Sequence, residues 1–130
     1  MKIVLADDSK IVRQRIISLL EEIEGVQVVA EAENSHQAVQ YVEDLKPDLI
    51  ILDIRMPDGS GLEALKILKD RNLSVVKMIF TNYPNEQYRK KCMELGADYF
   101  FDKSTDFEEM VDVVKRLRQK NKGKKLKNKQ

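Results

Sequence analysis

The sequence predicts an α/β protein built as one doubly wound, five-stranded parallel sheet with helices on both faces. Short apolar runs alternate five times with segments of helical period along the 130 residues, a (βα)5 pattern. The runs are apolar throughout rather than at every second position, as strands covered on both faces require. Polar residues with acid, hydroxyl and amine groups follow the runs directly, where strand ends would gather them into one crevice. Right-handed crossovers between such strands give the order 2-1-3-4-5.

The first strand is Lys2–Ala6. A helix over 9–24 follows, with Val12, Ile16, Leu19, Leu20 and Ile23 on one stripe, Ser9 as N-cap and Gly25 as its stop. Residues 26–32 make the second strand. Residues 35–45 make a helix with Ala38, Val39, Val42 and Leu45 facing inward, ended by Pro47. Leu49–Leu52 is the third strand, and Met56-Pro57-Asp58-Gly59 is a turn signal. Leu62, Leu65 and Leu68 mark the third helix. Residues 75–80 form the fourth strand. Asn85 caps a helix carrying Tyr88, Cys92 and Leu95, and Gly96 stops it. The fifth strand is 99–101. Thr105 and Glu108 read as a capping box for a last helix whose inner face is Phe107, Met110, Val111, Val114 and Leu117.

Charge divides the chain unevenly. Residues 119–130 hold six lysines and no acid, and without them the chain has 17 basic and 22 acidic residues, a net charge of −5. This assigns residues 1–118 to the folded domain and 119–130 to a lysine-rich, flexible tail. A solvated extension is the plain reading of that tail, and no direct nucleic-acid binding is expected from it. The single cysteine, Cys92, excludes an internal disulfide, and one Cys with one His cannot build a zinc site. The opening MKIVLADDSK turns acidic too early for a secretory leader, and no apolar run approaches the ~20 residues of a membrane span. A cytoplasmic protein without membrane insertion is expected.

Placed on this fold, the first strand delivers Asp7 and Asp8, the third Asp53 and the fourth Thr81, while Lys103 follows the fifth. Three crowded carboxylates repel one another unless a cation compensates. An all-oxygen cluster suits a hard ion, Mg²⁺ first and Mn²⁺ as a substitute. A lysine and a hydroxyl beside it can hold phosphoryl oxygens. Together these groups suit attack of a carboxylate on phosphorus, where catalysis is positioning and charge neutralisation.

With these motifs in view (Asp7-Asp8, Asp53 in LDIRMPDGSGLE, Thr81 in MIFTN, Lys103 in GADYFFDKS), the chain resembles the receiver domains of two-component response regulators, which share a flavodoxin-like fold, over roughly residues 1–118. The resemblance implies that Asp53 is the phosphoacceptor. It implies that Asp8, Asp53 and the backbone carbonyl of Arg55 ligate Mg²⁺, with Asp7 acting mainly through water. Lys103 would contact the phosphoryl group, Thr81 would move to hydrogen-bond it, and Phe100 would be the switch aromatic. A histidine kinase or phosphotransfer protein would be the donor. Output would pass to a protein partner through the fourth helix, fifth strand and last helix.

The chain also departs from the family pattern. Ser104 stands where a proline, often cis, usually follows the lysine, so a trans bond is expected here. Asn82 and Tyr83 are bulky for the positions after the threonine, and Phe100 lacks the tyrosine hydroxyl. Arg55 and Tyr83 occupy the two flanks of the path to the phosphoryl group, with Asn82 beside them, so these three should set its lifetime. A stand-alone receiver is the leading expectation, and the receiver half of a DNA-binding transcription regulator is the alternative. An aspartate-nucleophile phosphohydrolase is disfavoured, because such enzymes usually carry an acid two residues after the nucleophile and here that residue is Arg55.

Overall fold

A computed structural model describes residues 1–57 and 59–128, with side chains described through residue 121. In chain order the elements are β1 (Lys2–Ala6), α1 (Lys10–Glu21), β2 (Gln27–Ala32), α2 (Ser35–Leu45), β3 (Leu49–Leu52), β4 (Arg55–Met56), β5 (Gly59–Ser60), α3 (Gly61–Asp70), β6 (Val76–Thr81), α4 (Glu86–Glu94), β7 (Tyr99–Asp102) and α5 (Phe107–Asn128). The main sheet runs β2-β1-β3-β6-β7, the order 2-1-3-4-5 over its five strands, and every pairing in it is parallel. The Met56–Gly59 turn signal falls within a short antiparallel pair, β4 with β5, that links Asp53 to α3; Asp58 lies outside the described residues.

Alternate residues of each strand supply opposite cores, which is why the strands read as unbroken apolar runs. Val4, Ile50, Leu52, Ile79 and Phe100 meet α2, α3 and α4 on one face. Ile3, Leu5, Leu49, Ile51, Met78, Phe80 and Phe101 meet α1 and α5 on the other. Burying a side chain such as Leu65 or Ile51 stabilises the fold by roughly 1.5–3 kcal/mol before entropy is charged against it. Side-chain caps open the helices as their sequences suggest: Ser9 accepts from the Val12 amide, Asn34 from Gln37 and Asn85 from Tyr88.

Several expectations need correction. The first helix ends at Glu21, three residues before the expected 24, and the turn to β2 closes through Gly25 at φ +82°. Leu45, expected inward, is 37% exposed at the last turn of α2. The capping box at Thr105 does not open α5. That helix begins at Phe107, with the Asp106 carbonyl accepting from the Met110 amide, and Thr105 donates its hydroxyl to the Asp106 carboxylate instead. The last helix crosses the expected boundary at 118. The helix continues to Asn128, while residues 129 and 130 lie outside the described residues. Lysine is a good helix former, and no proline interrupts the ladder between 107 and 128. Past Leu117, Arg118 donates to the Glu24 carbonyl (3.1 Å) and Asn121 to Asp48 (3.0 Å), so the helix stays tied to the sheet's amino edge.

Candidate functional site

The parallel ladder runs one residue beyond β1, β3 and β7 and so fixes the backbone of the polar residues that follow. The Asp7 amide donates to the Ala32 carbonyl and the Asp53 amide to Ala6, both at 3.0 Å, and the Lys103 amide donates to Thr81 at 2.9 Å. Asp7, Asp8 and Asp53 thereby converge, each offering one carboxylate oxygen within 4.8 Å of the others. Lys103 reaches across from the fifth sheet strand. Its ammonium donates to Asp53 Oδ2 at 2.8 Å and makes a short hydrogen bond to Asp7 Oδ2. Asp53 Oδ1 accepts from the Ile54 amide (2.7 Å) and Asp7 Oδ1 from the Ser9 amide (2.9 Å).

Asp7, Asp53 and Lys103 are almost wholly buried at 2%, 8% and 9% exposure, whereas Asp8 is open to solvent. Burial alone would push the Lys103 ammonium below its ordinary pKa. Its hydrogen bonds and charge attraction to Asp53 and Asp7 outweigh that, and the value lies above the ordinary one. Three carboxylates against one ammonium leave the cluster with two formal negative charges, all on oxygen. That donor set fits a hard divalent ion such as Mg²⁺.

The other expected residues sit around this core. Thr81 ends β6, fully buried, and its hydroxyl oxygen accepts from the Tyr83 amide at 3.1 Å. Asn82 and Tyr83 are exposed. The Arg55 guanidinium lies 3.8 Å from the centroid of the Tyr83 ring, so the two expected flanking residues touch each other. Phe100 is buried at 8% exposure in the core beside α4, with the Arg89 guanidinium 5.8 Å from its ring. The bond before Ser104 is trans.

Two contributors escaped the sequence reading. Arg13 is buried on the inward stripe of α1 with Ile16 and Leu20; it donates to the Asp7 carbonyl (2.6 Å) and pairs with Glu31 (3.0 Å) and Glu33 (3.7 Å). A charge on an apolar stripe was the available signal. Gly61 brings the start of α3 against the acceptor loop, its amide donating to the Ile54 carbonyl at 2.6 Å; a Cβ there would lie 2.2 Å from the Asp53 carbonyl oxygen. The signal was the second glycine of DGSG, which the turn alone did not require.

Set beside known proteins, this architecture has close company among signalling receivers. A two-component response regulator of the LuxR family from Aurantimonas superposes with a TM-score of 0.84 at 30% identity, covering 91% of this chain and 84% of that one. Response regulator GacA of Pseudomonas aeruginosa is 30% identical over 90% of this chain and 55% of its own length. Transcriptional regulatory protein YdfI of Bacillus subtilis is 33% identical over 87% of this chain and 53% of its own. The chain thus spans about half the length of these curated relatives. The model of the response regulator receiver domain family matches residues 3–115, and the chain belongs to that family. It is a signalling module of the two-component type. Among the described residues no helix is long and apolar enough to cross a membrane.

Proposed function

We propose that this chain is a phosphorylation-switched receiver in which Asp53 accepts a phosphoryl group from the phosphohistidine of a histidine kinase or phosphotransfer protein. The observation that carries this is the bridging of buried Asp53 and Asp7 by Lys103 at the carboxyl edge of the sheet. An Asp53 carboxylate oxygen attacks phosphorus while the bond to the donor's imidazole nitrogen breaks, the electron pair leaving on that nitrogen. Lys103, which donates to Asp53, holds a phosphoryl oxygen in this reading, and the Ile54 amide steadies the carboxylate. Asp7, Asp8, Asp53 and the Arg55 carbonyl are the residues that would hold Mg²⁺, or Mn²⁺ in its place; when bound, the ion neutralises charge on the phosphoryl oxygens.

Thr81 gives up its contact with the Tyr83 amide to hydrogen-bond the phosphoryl group. That movement loosens the loop leading into α4 and permits Phe100 to repack. The altered face, made of α4, β7 and α5, then binds an output protein. Arg55 stacked on Tyr83, with Asn82 alongside, shields the acyl phosphate from water and prolongs its life.

The test is incubation with a small-molecule phosphodonor and Mg²⁺, followed by mass mapping. Modification of Asp53 is expected, and modification elsewhere in an Asp53→Ala protein overturns the assignment. A second reading is the receiver half of a DNA-binding transcription regulator. It is favoured by the fact that GacA and YdfI are nearly twice as long as the matched region. The mass of the natural gene product decides between the two.

A further inference from the structure

We propose that the side chain of Asp102 and the amide and hydroxyl of Ser104 form a clip whose purpose is to position Lys103. The inference rests on the reading of Lys103 as the phosphoryl contact. Asp102 Oδ1 accepts from the Ser104 amide at 2.8 Å and from the Ser104 hydroxyl at 2.7 Å. A hydrogen bond from residue 104 back to the side chain of 102 closes a ring around the backbone of Lys103, restricting both its φ and its ψ. Asp102 is itself held from two sides: its amide donates to Asp106 Oδ2 (2.8 Å), and its carbonyl accepts from the amides of Asp106 (2.8 Å) and Thr105 (3.3 Å). On the other side the Lys103 amide is tied to Thr81. The backbone beneath the lysine is therefore set by the sheet before it and by the clip after it.

This matters because lysine is a long, flexible side chain carrying a point charge, unlike the preorganised fork of arginine. Its ammonium must span Asp7 and Asp53 at once, and with the Lys103 amide tied to the sheet a change of its φ would swing the stem away from both. Proline at 104 could not make this clip, since it has no N–H to donate. The turn therefore obtains its rigidity from a carboxylate. The hydroxyl and then the amide of Ser104 hold the Asp102 carboxyl below the usual range. Asp106 serves the entry to α5 through its carbonyl, while the Asp102 carboxylate takes its main hydrogen bonds from Ser104 and a lesser one from the Thr105 hydroxyl.

The experiment compares Asp102→Ala, Asp102→Asn, Ser104→Ala and Ser104→Pro in the full chain. Two readouts are followed: the rate of phosphorylation by acetyl phosphate with Mg²⁺, and the ¹⁵N-resolved NMR signal of the Lys103 ammonium without any donor. Asp102→Ala and Ser104→Pro are expected to slow phosphorylation by about tenfold, since small displacements of a positioned group are costly. Both should weaken or shift the ammonium signal. Asp102→Asn keeps an oxygen acceptor and should stay within about twofold of wild type, with Ser104→Ala between, because it retains the amide. Mg²⁺ affinity should be unchanged throughout, which separates lost positioning from a collapsed site. Wild-type rates and an unmoved signal in Asp102→Ala overturn the clip, as does an Asp102→Asn protein as impaired as the alanine. If wild type accepts no phosphoryl group, the phosphoacceptor reading fails, while the ammonium signal still decides whether the clip positions Lys103.

Discussion

The two edges of the sheet use the same residue types for different ends. At the amino edge Asp48 accepts from the Lys2 amide (2.7 Å) and Asp98 from the Lys77 amide (2.9 Å), each carboxylate satisfying an N–H at the start of a neighbouring strand. Lys2 donates to the carbonyl that ends α2, and Asn121 closes over Asp48. Those groups are exposed or half-buried, and each aspartate works alone. At the carboxyl edge Asp7, Asp53 and Lys103 are buried and share hydrogen bonds, with Asp8 close by. A chemical site here comes from convergence and burial of charge, which amplify every interaction, and not from aspartates at strand ends as such.

Exchanging the edges in mutagenesis tests that contrast most sharply. Asp53→Ala should abolish phosphorylation, whereas Asp98→Ala should leave it intact and cost about 1 kcal/mol of stability for one lost hydrogen bond. Phosphopeptide mapping and urea denaturation read the two effects, and equal loss of labelling in both would erase the distinction. For the metal, Asp8→Ala should weaken Mg²⁺ binding by about tenfold or more, about 1.4 kcal/mol, while Asp48→Ala should not change it; calorimetric titration checks this. Smaller effects are expected at the rim. Removing the Arg55–Tyr83 stack by Arg55→Ala or Tyr83→Ala should speed decay of the phosphoprotein by roughly two- to fivefold, the scale of one exposed cation–π contact. First-order decay in excess Mg²⁺ measures it. Slower decay in Asn82→Ala, with both stack variants unchanged, would instead make Asn82 the group that orients water.

The smallest effect is one of pH. Because the Asp102 carboxyl is held below its ordinary range, it adds stability that is present above the unfolded value of about 3.9. That increment is lost as pH falls through the lower folded value. Urea midpoints of wild type and Asp102→Ala should therefore converge on acidification below about pH 4. A gap that widens there would show that the clip does not favour the charged carboxylate.

Periodicity and the unbroken apolar runs were enough for the five sheet strands and their helices, because burial on two faces leaves little room for another pattern. The identities of Asp7, Asp8, Asp53, Thr81 and Lys103 were legible for a related reason: in a doubly wound sheet every residue after a strand end faces one crevice. The β4–β5 pair was not legible, since two-residue strands carry no period. Neither was the continuation of α5, since charge composition says little about backbone once a helix is nucleated. Arg13 showed only as a charge on an apolar stripe, because its partners, Glu31 on β2 and Glu33 just past it, are brought to it by the fold. What the sequence determined by itself was therefore the architecture and the inventory of polar groups at the strand ends, both consequences of local pattern. Only the tertiary structure decided which groups touch: Lys103 with Asp7 and Asp53, Arg55 with Tyr83, and Gly61 against the Asp53 backbone. Those contacts join residues from separate elements, and their geometry depends on side-chain packing that no local pattern encodes.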